Sequence, residues 1–215
     1  MTKNVFIDCG TNNGGGFRHF KDRYKFDSTW DVYLIEPNPY LRETIKKDII
    51  ESKENKGIKF FFEEKAVCKI GSPEEIDIHL EKTDGDQLPT AEGSTILESS
   101  LLKEDSLKNF VTCKVKTLDL CKLIYKIASP YPETLTDGTV RFDRKKINIV
   151  LKLDIEGAEY EVIYDLLRTN IASAVTDLHV EFHGWRFKDE NAKIQEEVYL
   201  TGMLFQKRVN LFNHY

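Results

Sequence analysis

The sequence predicts an α/β fold: a mostly parallel central sheet with helices on both faces. Short apolar runs read as buried strands, and several end at an acidic residue. Stretches with apolar residues at helical spacing separate many of them, and that alternation builds parallel β-α-β units. The composition, 40% hydrophobic and 31% charged over 215 residues, suits a globular chain with a real core. One domain over residues 1–215 is expected, with loop insertions near 81–95 and 129–146.

The elements follow in order. Residues 5–7 form a buried strand closed by Asp8-Cys9-Gly10. Phe17, Phe20 and Tyr24 then recur at helical spacing. Residues 32–35 form a second strand, ended by Glu36-Pro37. Asn38 suits an N-cap, Pro39 a first helical position, and Leu41, Ile45, Ile49 and Ile50 the apolar face. Residues 58–62, 66–70, 76–80 and 111–116 read as consecutive strands, an antiparallel excursion or an insertion. Thr117 is placed to cap a helix bearing Leu118, Leu120, Leu123, Ile124 and Ile127. Residues 129–143, with two prolines and Asp137-Gly138, read as a long loop. The most hydrophobic strand, 147–153, ends at Asp154, and a helix from about 157 to 169 follows. Residues 178–182 form another strand, ended by His183-Gly184. A helix and a last strand near 209–212 close the chain.

Charge and cysteine usage narrow the function. The net charge of −5 disfavours a nucleic-acid grip made by neutralising phosphates. The four cysteines are scattered, with no zinc-ligand spacing, as expected of free thiols in a reducing compartment. No apolar run reaches membrane-spanning length, and the chain enters a strand at once, so a cytoplasmic protein without a signal peptide is expected.

Ligands of open α/β sheets sit at the carboxyl ends of the strands. Here those ends carry Asp8, Glu36, Asp154 and Glu181. The loop Asp8-Cys9-Gly10-Thr11-Asn12-Asn13-Gly14 is not the G-x-G-x-x-G of a dinucleotide site. Its carboxylate would repel a phosphate and suits a cation; the plain alternative is a βα turn with capping Asn residues. Glu36 is placed to accept hydrogen bonds from both hydroxyls of a ribose. In Lys152-Leu153-Asp154-Ile155-Glu156-Gly157-Ala158-Glu159 a lysine interrupts an apolar strand and shares one side with Asp154. Acids at a helix start also have a structural reading, which covers Glu159 and Glu161.

Together these segments resemble the FkbM-type methyltransferases, whose motifs read D-x-G-x-N-x-G, then E-P-N-P, then K-x-D-x-E-G-x-E. Lys65-Ala66-Val67 and Val115-Lys116-Thr117-Leu118-Asp119 fit weaker features of that family. The resemblance spans about residues 4–182. It implies a Rossmann-like class I methyltransferase sheet, for which an antiparallel last strand is expected, and S-adenosylmethionine (SAM) as cofactor. It places Asp8, Gly10, Thr11, Asn12, Asn13 and Gly14 around the methionine part, Glu36 and Pro37 at the ribose, and Ala66 near the adenine. Gly14-Gly15-Gly16 is richer in glycine than the family pattern. The resemblance leads one to expect that the covering helix usual before the first strand is missing or supplied by another polypeptide.

Methyl transfer to a hydroxyl needs a proton acceptor. Asp154, Glu181, His179 and His183 are candidates, His183 preferred for its place in a rim turn, with Lys152 orienting a carboxylate. Asp154, Glu156 and Glu181 could also hold Mg²⁺. The expected acceptor is a small molecule or carbohydrate, foremost a sugar hydroxyl of a surface glycan. Tyr131, Phe142, Trp185 and Phe187 would offer faces for the ring. The rival readings are methylation of a natural product or an RNA cap, and a nicotinamide-dependent oxidoreductase. The oligomeric state is not legible.

Overall fold

A computed structural model describes residues 2–82, 89, 93–97, 101–103, 110–134, 136, 138 and 140–213. The chain runs through β1 (Lys3–Cys9), α1 (Gly15–Tyr24), β2 (Trp30–Ile35), α2 (Arg42–Ile45), β3 (Lys59–Glu63), β4 (Lys65–Cys68), β5 (Glu75–Glu81) and β6 (Phe110–Asp119). It continues through α3 (Leu120–Ala128), β7 (Pro132–Thr134), β8 (Val140–Phe142), β9 (Ile147–Leu153), α4 (Glu159–Arg168), β10 (Asp177–Val180), α5 (Glu190–Gln206) and β11 (Asn210–Asn213). Six strands form the main sheet in the order β11-β10-β9-β1-β2-β3, and every pair is parallel.

The last strand therefore departs from expectation: β11 runs parallel to β10, not antiparallel. The cause is the connection. The 17-residue α5 carries the chain back along the sheet before β11 begins, so β11 leaves in the direction of β10.

Strand alternation divides the core. Val5, Ile7 and Cys9 of β1 pack in one apolar cluster with Leu120, Ile124, Ile163, Leu166, Leu200 and Leu204, from α3, α4 and α5. Phe6 of β1 packs in the other with Phe17 and Phe20 of α1, Ile45 of α2, and Ile49. A strand buried on both faces tolerates few polar residues. Asp8 and Lys152, one near the end of each central strand, therefore need an explanation.

Asn38 caps the turn after β2 by accepting from the Tyr40 amide, with Pro39 following as the sequence suggests. α3 begins two residues later than expected: Asp119, not Thr117, accepts from Lys122 N–H, and Leu118 stays in β6 instead of entering the helix. Thr117 remains in β6, where its hydroxyl bonds Pro73 O at 2.6 Å. The consecutive strands form a second sheet, β4-β6-β5, in which β5 and β6 are antiparallel and β4 and β6 parallel. The expected loop at 129–146 contains an antiparallel pair, β7–β8, tied by Arg141 to Glu133 at 2.7 Å. Of the 81–95 insertion, residues 83–88 and 90–92 lie outside the described residues.

Candidate active site

The carboxyl ends of β1, β2, β9 and β10 open onto one cleft of about 280 Å³. Gly10 to Asn13, Gly15 and Gly16 form its floor on the β1 side, and Glu36, Pro37 and Asn38 line it at β2. Lys65, Ala66, Ile78, Ser94 and Ile96 close one wall, and Lys152, Asp154, Ile155, Glu156 and Glu181 the other. Every strand end marked by an acid in the sequence thus meets at one place, as expected of an open α/β sheet.

The loop after β1 is tied down from three sides. Gly10 and Thr11 N–H both donate to Ile35 O, at 3.0 and 3.2 Å. The Thr11 hydroxyl bonds Asp8 O and accepts from Ile35 N–H. Gly10 has φ +79°, and a Cβ there would lie 1.8 Å from Asp154 O, so the close approach of the β1 and β9 ends demands glycine. At Gly16 a Cβ would sit 3.0 Å from Lys152 Cε. The extra glycine of the Gly14-Gly15-Gly16 run thus leaves room for the lysine stem.

Glu36 is 6% exposed. Its Oε2 accepts from Asn12 N–H and its Oε1 from Asn38 N–H, each at 2.8 Å. Each oxygen retains a lone pair for a ligand. Burial pushes its pKa from 4.5 up to about 7, against the opposing pull of those two amides.

Asp8 and Lys152 are partners in the β1–β9 register. Both are buried, and Lys152 Nζ lies 3.3 Å from Asp8, 3.1 Å from Asp154 and 2.7 Å from Gly10 O. Asp8 is not on the cleft wall; it lies beneath it, and its charge is met by Lys152 instead of by an open cation site. Burial raises the Asp8 pKa, and Lys152 opposes that rise. Burial alone would lower Lys152, but Asp8 and Asp154 outweigh it and hold the ammonium charged. Gly14 also lies off the wall, its α-carbon packed against Ile49.

His183 departs furthest from expectation. It is 3% exposed and lies behind the rim. Its Nδ1 bonds Glu159 at 3.0 Å, and its Nε2 lies 3.3 Å from Glu156, 3.7 Å from Glu181 and 3.8 Å from Asp154. Burial lowers its pKa, but the Glu159 hydrogen bond and the surrounding charges carry it up to about 9. The ring is an imidazolium at neutral pH, with no lone pair to take a proton. His179, on the α1 side of the sheet, bonds Tyr24 Oη at 2.8 Å and stacks on Phe212, a structural role.

Glu159 is fully buried and accepts from Ile155 and Gly157 N–H, so it ties the turn after β9 as well as His183. Glu156, in that turn at φ +57°, pairs with the buried Arg186. Arg186 also donates to Gly93 O at 2.8 Å. The sequence gives no motif for Arg186, which the fold brings against Glu156.

Asp154, Glu156 and Glu181 do not make a cation cage. Among the described residues the group with metal-like spacing is Asp154, Glu159 and His183. There Glu159 already accepts from Ile155 and Gly157 N–H and from His183, while Glu156 is paired with Arg186. These residues do not fit Mg²⁺. Tyr131, Phe142, Trp185 and Phe187 are also absent from the cleft lining among the described residues. Phe187 is buried against Tyr160, and Tyr131 and Phe142 pack on the core.

No helix of the described residues is long and apolar enough to cross a membrane. No curated protein and no solved structure gives a significant match to this chain. The family model of the methyltransferase FkbM domain, however, matches residues 8–206, which begin at Asp8 and include the whole cleft. A parallel sheet with its cleft at the strand ends, and a match over nearly all of the sequence, agree: this chain belongs to the FkbM methyltransferase family.

Proposed function

We propose that the protein transfers the methyl group of SAM to a hydroxyl of a small or glycan acceptor, foremost a sugar. Glu36 carries the reading: a buried carboxylate at the end of the second strand, lining the cleft, with one free lone pair on each oxygen. That arrangement suits the paired hydroxyls of a ribose. Asn12 and Asn13 would flank the methionine part, with Pro37 and Ala66 toward the base. When bound, SAM supplies an electrophilic methyl on a sulfonium.

The chain's own residues align the reactants and receive the proton. Glu181 is the better proton acceptor. It lines the cleft, and burial and the neighbouring Asp154 charge raise its pKa. Asp154, paired with Lys152 at 3.1 Å, is fixed in place and suited to orient the acceptor. His183, as the charged partner of Glu159, braces this wall from behind. Glu181→Gln is expected to lower kcat by roughly 10²–10⁴-fold, the usual worth of general-base catalysis, and Asp154→Asn to lower it as well. Both should leave the SAM dissociation constant nearly unchanged in calorimetry. A Glu181→Gln enzyme with full kcat would exclude Glu181 as the base.

SAM binding should depend on pH through Glu36. Its folded-state pKa of about 7 exceeds the ordinary 4.5. The empty protein therefore holds this group's stability in full below about 4.5 and loses it as pH rises through about 7. A carboxylate that receives two hydroxyls favours the charged form, so affinity for SAM should rise over the same window and level off above it. Calorimetry from pH 5.5 to 8.5 reads this, as an expected gain of up to about tenfold per pH unit below 7. A flat profile would mean that Glu36 does not meet the ligand.

The decisive experiment titrates the protein with SAM and with NAD, then incubates it with methyl-labelled SAM and a panel of monosaccharides. SAM binding followed by label in a sugar supports the proposal. NAD binding in place of SAM would overturn it.

A further inference from the structure

We propose that Arg186 is a positioning residue: from behind the cleft wall it clamps residues 93–97 onto the turn after β9, and so sets Ser94 and Ile96 against the bound cofactor. The inference rests on SAM as the ligand of the cleft. Arg186 ends a short helical turn, Gly184–Arg186, after β10, and is 3% exposed. It does not itself line the cleft. Its Nη2 donates to Gly93 O at 2.8 Å, and its Nη1 pairs with Glu156 in the turn after β9. Its carbonyl accepts from Lys103 N–H at 2.9 Å. One buried residue thus joins three segments that are far apart in the sequence.

Residues 93–97 depend on such anchors. They join β5 through one bridge among the described residues, in which His79 and Thr95 exchange amide bonds of 2.8 and 2.9 Å. Gly93 N–H donates to Glu81 at 2.8 Å, so Arg186 holds the carbonyl of a residue whose amide is already held from β5. Thr95 is buried, and its hydroxyl donates to Glu156 O at 2.8 Å. Glu156 therefore receives the segment twice: at its carbonyl directly from Thr95, and at its carboxylate through Arg186. Ser94 and Ile96, on either side of Thr95, line the cleft on the wall that includes Ala66. A guanidinium presents its donors in a rigid planar fork, so one side chain can meet two acceptors in a set geometry. An ammonium is a point charge on a flexible stem. Balancing the charge of Glu156 needs only a cation, whereas reaching Gly93 O as well needs the fork.

The test compares the unaltered chain with Arg186→Gln and Arg186→Lys by calorimetry with SAM, by hydrogen exchange without it, read by NMR, and by urea unfolding. In Arg186→Gln, exchange at the His79 and Thr95 amides should quicken about tenfold or more while β1 and β9 stay protected. The SAM dissociation constant should rise about tenfold, the scale of one hydrogen bond to a charged group. In Arg186→Lys the urea midpoint should return to that of the unaltered chain, but SAM should still bind several-fold more weakly. That split separates positioning from charge balance alone, under which the lysine variant would recover stability and affinity together. Full SAM affinity in either variant would overturn the proposal. So would unchanged exchange at His79 and Thr95 in Arg186→Gln. If the unaltered protein does not bind SAM, the proposed function fails, while the exchange comparison still decides whether Arg186 holds the segment.

Discussion

Glu36→Ala should bind SAM about 100-fold more weakly than the unaltered protein. A hydrogen bond to a charged acceptor is worth about 1.5–3 kcal/mol, and the side chain is placed to receive two. A combined loss near 3 kcal/mol corresponds to roughly two decades in the dissociation constant. Part of that loss is indirect. Glu36 also receives Asn12 and Asn38 N–H, so the alanine variant frees the loops on either side of the ribose position. Glu36→Gln separates the contributions. It keeps the size of the side chain, but its amide nitrogen must face one of the two backbone donors. It should therefore recover little affinity, and the pH dependence of binding should vanish. Calorimetry at pH 8 checks both variants. Unchanged affinity in Glu36→Ala would remove the ribose assignment while leaving the family membership untouched.

Lys152→Met should destabilise the fold by about 3–5 kcal/mol, the usual consequence of leaving a buried charge without its partner. Natural domains hold only about 5–15 kcal/mol in total, so this is a large share. Lys152 Nζ faces Asp8, Asp154 and Gly10 O at once. Without it, Asp8 is a fully buried carboxylate whose oxygens accept no hydrogen bond among the described residues. It must then take up a proton, and the direction of the pH effect follows. A carboxyl whose folded pKa is raised contributes stability in full below its unfolded value of about 3.9, and that stability is lost as pH rises through the folded value. Lys152→Met should thus lie closest to the unaltered protein in acid and fall behind as pH rises. Asp8→Asn combined with Lys152→Met should abolish that trend. Urea unfolding between pH 4 and 8 reads all three. A Lys152→Met variant as stable as the unaltered chain at pH 8 would mean that Asp8 does not depend on this lysine.

Asp8, Glu36, Asp154 and Glu181 could be located from the sequence because each follows an apolar run short enough to be a buried strand. In a parallel sheet, strand ends converge whatever the details of packing. The lysine in the 147–153 strand was legible as an anomaly, since solvation cannot explain it in so apolar a context. Its partner was not, because the Asp8–Lys152 pairing depends on the β1–β9 register across 144 positions of sequence. Arg186 was missed for a related reason. A lone arginine in a short turn carries no local signal, and its bond with Glu156 exists only once the turns after β9 and β10 face each other.

The sequence by itself determined the strand-and-helix alternation, the site at the strand ends and the acids that mark it. These follow from local periodicity and from the geometry of parallel β-α-β units. Tertiary structure alone decided which charges meet. It sank Asp8 beneath the cleft against Lys152, turned His183 from a base into a buried cation, and neutralised Glu156 with Arg186. It also decided that β11 runs parallel. Burial and pairing across the sheet set protonation and role, and neither quantity is a property of any short stretch of chain.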